Sequence, residues 1–430
     1  MLKVVLFFVR RDEMIKERRR PMDCIQRIDK DIYWVGGSDR RLALFENMFP
    51  LDNGVTYNAY MIVDDKTALV DTVDNAIRQQ FFDNLRASLG GRPLDYMVIN
   101  HMEPDHCAHI EDICRMWPDV KIVGNSKTFQ MIKQFYQMDL EGRTLEVKEG
   151  DELPLGRHTL RFYMAPMVHW PEVMFTYETS KHILFSADAF GSFGGYNGNL
   201  FCDDMDYFDQ HMEEARRYYT NIVGKYGQQV LGALKKVGGQ KIELICPLHG
   251  PVLRGEDMHK MLEKYTRWAS YRPEKAGVVM AYASMYGNTE EVIHRLAGLL
   301  SQHGIRDIRI YDVSKTHYSY IIARAFQYSH LVLASPTYNM HLYQGMDTLI
   351  TDMGNLNLQN RKVALIGNGS WSPSAHTIMQ KKLETMKNMT LLMPPMVIRS
   401  SMLPKQEAEL EAMADALAET IKQDEAAISL

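Results

Sequence analysis

A chain of 430 residues with 46% hydrophobic and 24% charged residues is long enough for two or three domains, each with its own core. Its formal charge of −5 argues against a nucleic-acid or anionic-membrane partner, because either favours a basic surface. The five scattered cysteines form no C-x-x-C pair, which fits reduced thiols and a cytoplasmic protein and excludes a rubredoxin-type iron site within these residues.

The opening stretch, "MLKVVLFFVRRDEMIKERRRP", has an apolar run only from Val4 to Val9, with a charge cluster where a signal-peptide cleavage site belongs. Residues 1–21 therefore read as an extension, with Met22 an alternative start. No stretch approaches the roughly 18 apolar residues of a membrane span. Segments 56–63 and 67–74 read as paired strands about a turn at 64–66, followed by a helix over 77–89 that stops at Gly90-Gly91. Segment 95–100 is a short buried strand that delivers "HMEPDH" at its C-terminal end. Strands follow at 144–150, 158–167, 173–179 and 181–188, then a long helical pattern from Met205 to Lys236. Strand 242–250 ends the half with a histidine. Two sheets with helices outside are expected.

The second half alternates. Strands at 276–284, 307–314, 330–338, 362–370 and 394–402 precede helices at 288–304, 318–329, 345–356, 375–386 and 405–423. Five such units predict a doubly wound parallel sheet with ligands off the strands' carboxyl ends. The seam falls near Ser270 to Gly277, giving a front domain of 22–270, a linker of 271–276 and a back domain of 277–430.

His101, Glu103 and Asp105 alternate, which sends three side chains the same way while the backbone stays extended, and Pro104 keeps Glu103 out of helical geometry. His106 joins them if the chain turns there. Downstream, His169, Asp188 and His249 each follow an apolar strand-like run. Each alone has an ordinary structural explanation. Together they make four imidazoles and three carboxylates, too many for one closed tetrahedral zinc and suited to two metals sharing a carboxylate. His109, in "CAHI", is read as structural.

In order, "HMEPDH", "VHWPE", "SADAF" and "PLHGP" resemble the metallo-β-lactamase-like αββα sandwich, whose hydrolases typically carry histidine where Glu103 stands. Glutamate makes the pocket harder and more anionic, which favours iron over zinc. With a flavodoxin-like domain behind it, the chain resembles the flavodiiron proteins (A-type flavoproteins) from about Met22 onward. The resemblance implies one iron on His101, Glu103 and His169, another on Asp105, His106 and His249, and Asp188 bridging.

In "YASMYGNTEE", Ser284, Met285, Tyr286, Gly287, Asn288 and Thr289 form a strand-to-helix turn with hydroxyl and amide donors and a helix N-terminus suited to a phosphate. It lacks both the Walker ending and the G-x-G-x-x-G fingerprint, so a monophosphate such as that of FMN is the better expectation. Pro336, Thr337, Tyr338 and Asn339 would lie beside the flavin ring, with Gly369, Ser370 and Trp371 opposite. The implied activity is reduction of dioxygen to water or of nitric oxide to nitrous oxide. Electrons would come from a separate rubredoxin-like or other donor through FMN to two irons. Tyr196 is a candidate pocket residue. The resemblance also implies a head-to-tail homodimer, or a dimer of such dimers, bringing one subunit's flavin to the other's irons. A dizinc hydrolase and a plain flavodoxin-like electron carrier are the alternatives; zinc content or failure to consume either gas would reveal them.

Overall fold

The computed structural model describes residues 22–428, so the expected extension at 1–21 lies outside the described residues. The front half is an αββα sandwich. Its first sheet runs Gln26–Asp29, Ile32–Trp34, Tyr60–Val63, Thr67–Val70, Tyr96–Val98, Lys121–Gly124, Thr144–Glu146. The expected hairpin is present, with Val63 opposite Thr67, and pairing becomes parallel from Thr67–Val70 onward. The second sheet runs Glu152–Pro154, Thr159–Met164, Met174–Glu178, Ile183–Phe185, Leu244–Cys246, Leu253–Arg254. Trp34, Tyr60, Ile62 and Val98 of one sheet meet Leu160, Phe162, Met174 and Phe185 of the other in an apolar interior.

The back half is a parallel sheet in the order Ile308–Asp312, Lys275–Tyr282, Tyr328–Tyr338, Arg361–Asn368, Met389–Leu391, with an apolar core on each face. The order reverses beside Lys275–Tyr282, which makes the carboxyl ends of the central strands the natural crevice. The expected last strand over 394–402 is realised only as Met396–Ile398, and an unexpected short strand, Met389–Leu391, precedes it; both pair with Arg361–Asn368. Pro394 and Pro395 have no N–H to give the ladder, so it breaks there.

A second difference lies in the Met205–Lys236 pattern. The structure divides it into Tyr207–Gln210, Met212–Tyr218, a wide π turn at Tyr219–Val223, a tight 3-10 turn at Gly224–Tyr226 and Gly227–Val237. The interruption is held by Tyr271, whose hydroxyl donates to Gly224 O (2.8 Å) and accepts from Gly227 N (3.1 Å). Gly227 itself lies so close to Ala269 O that a Cβ there would stand 2.3 Å away. A helical hydrophobic pattern does not reveal such a distant packing demand.

The halves share buried polar joints. Arg361, 1% exposed, donates to the carbonyls of Tyr271, Ala325, Phe326, Gln359 and Asn360. Arg216 pairs with Glu274, which also receives Lys264 Nζ (2.9 Å) and Trp268 Nε1 (2.7 Å). No helix among the described residues is long and apolar enough to cross a membrane.

Candidate metal centre and flavin pocket

The strand Tyr96–Val98 ends against Asp71, a buried residue in left-handed geometry (φ 57°). Its carboxylate accepts from Asn100 N (2.7 Å), Asn100 Nδ2 (3.0 Å) and His101 N (3.2 Å), which pins the chain where the motif begins. Burial pushes the Asp71 carboxyl up to about 6 against the pull of nearby His106 and of those backbone donors. Glu103 is extended (φ −66°, ψ 140°), but Pro104 opens a short helix, Pro104–Cys107. The expected alternation therefore stops at Glu103. Asp105 and His106 sit on helical backbone and face a second group, because proline is readily accommodated in a first helical turn.

The seven sequence-chosen residues come together as two clusters. His101, Glu103, His169 and Asp188 form one; Asp105, His106 and His249 form the other. In the first, Asp188 Oδ2 lies 3.1 Å from His169 Nε2 and 3.4 Å from His101 Nε2, and Glu103 Oε2 lies 3.1 and 3.3 Å from the same nitrogens. Asp188 Oδ1 turns to the second cluster, 3.2 Å from His106 Nε2 and 3.7 Å from His249 Nε2; Asp105 Oδ2 lies 3.5 and 3.3 Å from those nitrogens. Asp188 thus stands between the clusters. Ala187 (φ 51°) and Phe190 (φ 69°) flank it in left-handed geometry, strain typical of functional segments.

Whether this donor set fits a pair of cations follows from its protons. Thr56 O can only accept, so His249 Nδ1, 2.6 Å away, carries the proton and its Nε2 presents a lone pair. His101 Nδ1 likewise points at Glu172 Oε1 (2.8 Å). The free Nε2 atoms then face carboxylate oxygens, and His106 and His249 face each other across 3.0 Å. Among the described residues, buried Asp105 Oδ1 and Asp188 Oδ1 have no hydrogen-bond donor. Lone pairs converging at 3.0–3.7 Å match the edges of coordination polyhedra with bonds of about 2.1 Å. The residues fit two cations.

Among the protein groups themselves, burial opposes charge on His169, but hydrogen bonds to Asp188 and Glu103 outweigh it and raise the imidazole to about 9. His101 is raised well above its ordinary value, the Asp188 charge overcoming burial. Asp188 is held well below the carboxylate range, burial being outweighed by His106 and His101. Glu172 fixes the His101 ring and also accepts from Met102 N (2.8 Å). We expect Glu172→Gln to weaken metal-ion retention by about 10- to 100-fold, the usual cost of losing a ligand's outer partner. Competition with a chelator measures it.

The sequence reading missed the aromatic lining. Tyr218, 1% exposed, has its ring 5.4 Å from that of His249, and among the described residues its hydroxyl has no partner. Gly191 makes room, since a Cβ there would stand 2.8 Å from Tyr218 Cε1. Phe45 lies 5.3 Å from His249, and Phe193 packs on both Phe45 (5.3 Å) and Tyr218 (5.1 Å). On the same face, desolvation of the Glu46 carboxyl and the neighbouring Glu103 and Asp105 charges push it up to about 8. Tyr196, the sequence candidate, is engaged elsewhere. Its ring packs on Trp34 (5.2 Å) and its hydroxyl donates to Gly198 O (2.5 Å). Nothing local distinguishes Tyr196 from Tyr218; only the π turn beyond Tyr218 marks the latter. His109 stacks on Phe81 (5.7 Å) and faces Asp112, a packing role.

The back half carries a cavity of about 540 Å³ at the carboxyl ends of its central strands. The first expected loop lines it through Ser284, Met285, Tyr286, Asn288 and Thr289. Gly287 stands at the helix start with φ 94°, its N–H bonded to Ser284 Oγ (3.1 Å). Pro336 to Asn339 and Gly369 to Trp371 supply the other walls, joined by Met340, Asn368, Ser372 and Ser400, which sequence reading did not choose. Thr337 Oγ1 accepts from Ser374 N and Ala375 N, tying the second loop to the third. Among the described residues, no lysine or arginine lines the cavity, so a phosphate there would meet neutral donors and the helix N-terminus of Asn288–Gln302.

A family model described as "ODP family beta lactamase" matches residues 55–250. The nitric oxide reductase of Moorella thermoacetica is 32% identical over 365 residues, covering 84% of this chain and 90% of that one. The anaerobic nitric oxide reductase flavorubredoxin of Vibrio vulnificus is 30% identical and covers 81% of this chain and 70% of its own. Among solved structures, the rubredoxin oxygen:oxidoreductase of Desulfovibrio gigas aligns with a TM-score of 0.87 at 26% identity, covering 93% of this chain and 99% of that one. The flavodiiron protein of Giardia intestinalis shares the fold, with a TM-score of 0.85 at 23% identity and coverage of 94% and 97%.

Proposed function

The chain belongs to the flavodiiron protein family, and from that premise we infer that it is an oxidoreductase carrying electrons from an external redox protein through FMN to a non-haem diiron site that reduces dioxygen to water or nitric oxide to nitrous oxide. The observation that carries the reading is Asp188, one buried carboxylate with an oxygen turned to each of two His/carboxylate clusters. His101, Glu103 and His169 would hold one iron and Asp105, His106 and His249 the other. The turn Ser284–Thr289 would hold the FMN phosphate, with Pro336–Asn339 and Gly369–Trp371 about the ring. The domain limits we adopt are 22–270 and 277–430.

Bound there, the irons supply adjacent redox-active coordination positions and FMN supplies electrons singly. The protein's own groups do the rest. Glu172 and Thr56 O fix the tautomers of His101 and His249. Phe45, Phe193 and Tyr218 line the His249 side with apolar surface that excludes water. The unpartnered Tyr218 hydroxyl can donate to an oxygen atom of a bound diatomic molecule. Iron analysis with anaerobic stopped-flow of the reduced protein against each gas tests the reading. Stoichiometric zinc and no consumption of either gas would end it.

For the donor, a rubredoxin-like protein is supported by the likeness to the rubredoxin oxygen:oxidoreductase and the flavorubredoxins. Five free thiols, four of them buried, support a cytoplasmic setting. A head-to-tail homodimer is supported by two exposed apolar rims: Tyr286 (90%), Trp371 (86%) and Met340 around the flavin cavity, and Leu44 and Met48 on the hairpin that carries Glu46. Co-expressing His249→Ala with Gly287→Val chains tests it. If flavin and irons meet across subunits, mixed dimers keep one intact site and the population recovers about a quarter of parent activity. If they meet within one chain, recovery is nil.

A further inference from the structure

The metal clusters reach solvent on one face, where the Glu103, Asp105 and His169 side chains are 13%, 12% and 9% exposed. Electrons must arrive there, so a docked flavin domain would cover that face and a gas would need another way in. Behind the aromatic lining lies a second cavity of about 270 Å³ with exposed Arg40, Asp52 and Asn197 at its rim, His211 and Glu214 along its wall, and Phe193 at its inner end. Phe193 is fully buried, and its ring packs directly on Phe45 and Tyr218, which both lie against His249. Two aromatic layers, Phe193 and then Phe45 with Tyr218, therefore part the cavity from His249.

We propose that Phe193 is the gate through which the diatomic gas passes from this cavity to the metal centre, and that it sets the rate of access. The proposal rests on the functional reading above. A phenyl ring makes no hydrogen bonds, so its displacement breaks none, and buried rings rotate without unfolding their surroundings. The residue after it, Gly194, has φ 109° and no Cβ, which leaves space up to His211 Nδ1. One face of the ring lies under the Arg217 guanidinium at 4.5 Å; that guanidinium also donates to Pro50 O and rests on Tyr320 of the back half at 4.2 Å. The ring is thus held on one face by a buried guanidinium. Its chemistry selects. Dioxygen and nitric oxide are neutral and weakly hydrated, so an aromatic layer hardly opposes them, whereas an ion or a water cluster must shed hydrogen bonds to cross it.

Stopped-flow association of nitric oxide with the reduced, iron-loaded protein tests the gate, together with xenon-pressurised crystals. Phe193→Leu and Phe193→Ala should speed association and Phe193→Trp should slow it, each by about tenfold, with KM moving more than kcat. Xenon should enter the outer cavity of the parent and, in Phe193→Ala, also the space beside Tyr218. Leucine guards against loss of folding in the alanine variant, with iron content and circular dichroism as controls. Association unchanged within about twofold across folded, iron-loaded variants would overturn the proposal. So would xenon reaching the Tyr218 side equally in parent and Phe193→Trp. A parent that binds no nitric oxide would instead refute the functional reading, and the xenon positions would still judge the gate.

Discussion

Asp188→Asn is expected to cost the protein one of its two metal ions and on the order of a thousandfold in gas reduction, beyond the roughly 10- to 100-fold that follows loss of a supporting partner. Asp188 is the one side chain that addresses both clusters, Oδ2 facing His101 and His169 and Oδ1 facing His106 and His249. An asparagine keeps the shape but presents an amide NH₂ to one side or the other, so one imidazole pair always meets a donor instead of an anion. It also removes the negative charge that lets two cations share a buried space. Iron per chain and nitric oxide consumption measure the effect. Two irons per chain with turnover within about tenfold of the parent would show that Asp188 does not bridge.

The second large effect is on stability. Glu274→Gln should lower it by roughly 3–5 kcal/mol, because it strands the buried Arg216 guanidinium. The Arg216 and Glu274 side chains are 2% and 1% exposed, and Glu213, the other carboxylate on Arg216, is half-exposed and cannot replace the lost charge inside. Burial alone would raise the Glu274 carboxyl, but the Arg216 and Lys264 charges and the Trp268 N–H overcome it and hold it at about 2. Its folded value lies below the unfolded value of about 4.3, so the stabilisation is complete above the latter and is lost as pH falls towards the former. Between pH 5 and 2 the parent should therefore lose stability more steeply than Glu274→Gln, and the two denaturation midpoints should converge. Parallel curves would refute the assignment.

The metal site was legible because all seven of its residues follow strand-like runs, and local spacing shows that. What fixes those residues was not legible. Glu172 stood in the quoted "VHWPE" motif, yet only the folded chain brings it to His101, 71 positions away. Tyr218 lay within an unbroken helical pattern, and the π turn that follows it answers to Tyr271, some fifty residues on. Tyr196 lies near Asp188 in sequence, but nearness alone does not say which way a glycine-rich loop turns. In the back half, regular strand–helix alternation exposed the flavin loops, whereas Asn368 and Ser400 joined the cavity through pairing of Arg361–Asn368 with Met396–Ile398.

The Arg361 joint bears on how this two-part architecture can be taken apart. Its five carbonyl acceptors are recruited from both sides of the nominal seam, and the one from Tyr271 is contributed by the segment upstream of Gly277. A flavin module excised at that glycine would carry away a guanidinium built for an interior and expose it short of an acceptor. Recombination of such modules with new neighbours therefore favours breakpoints upstream of Tyr271, and the short connector travels with the cargo behind it.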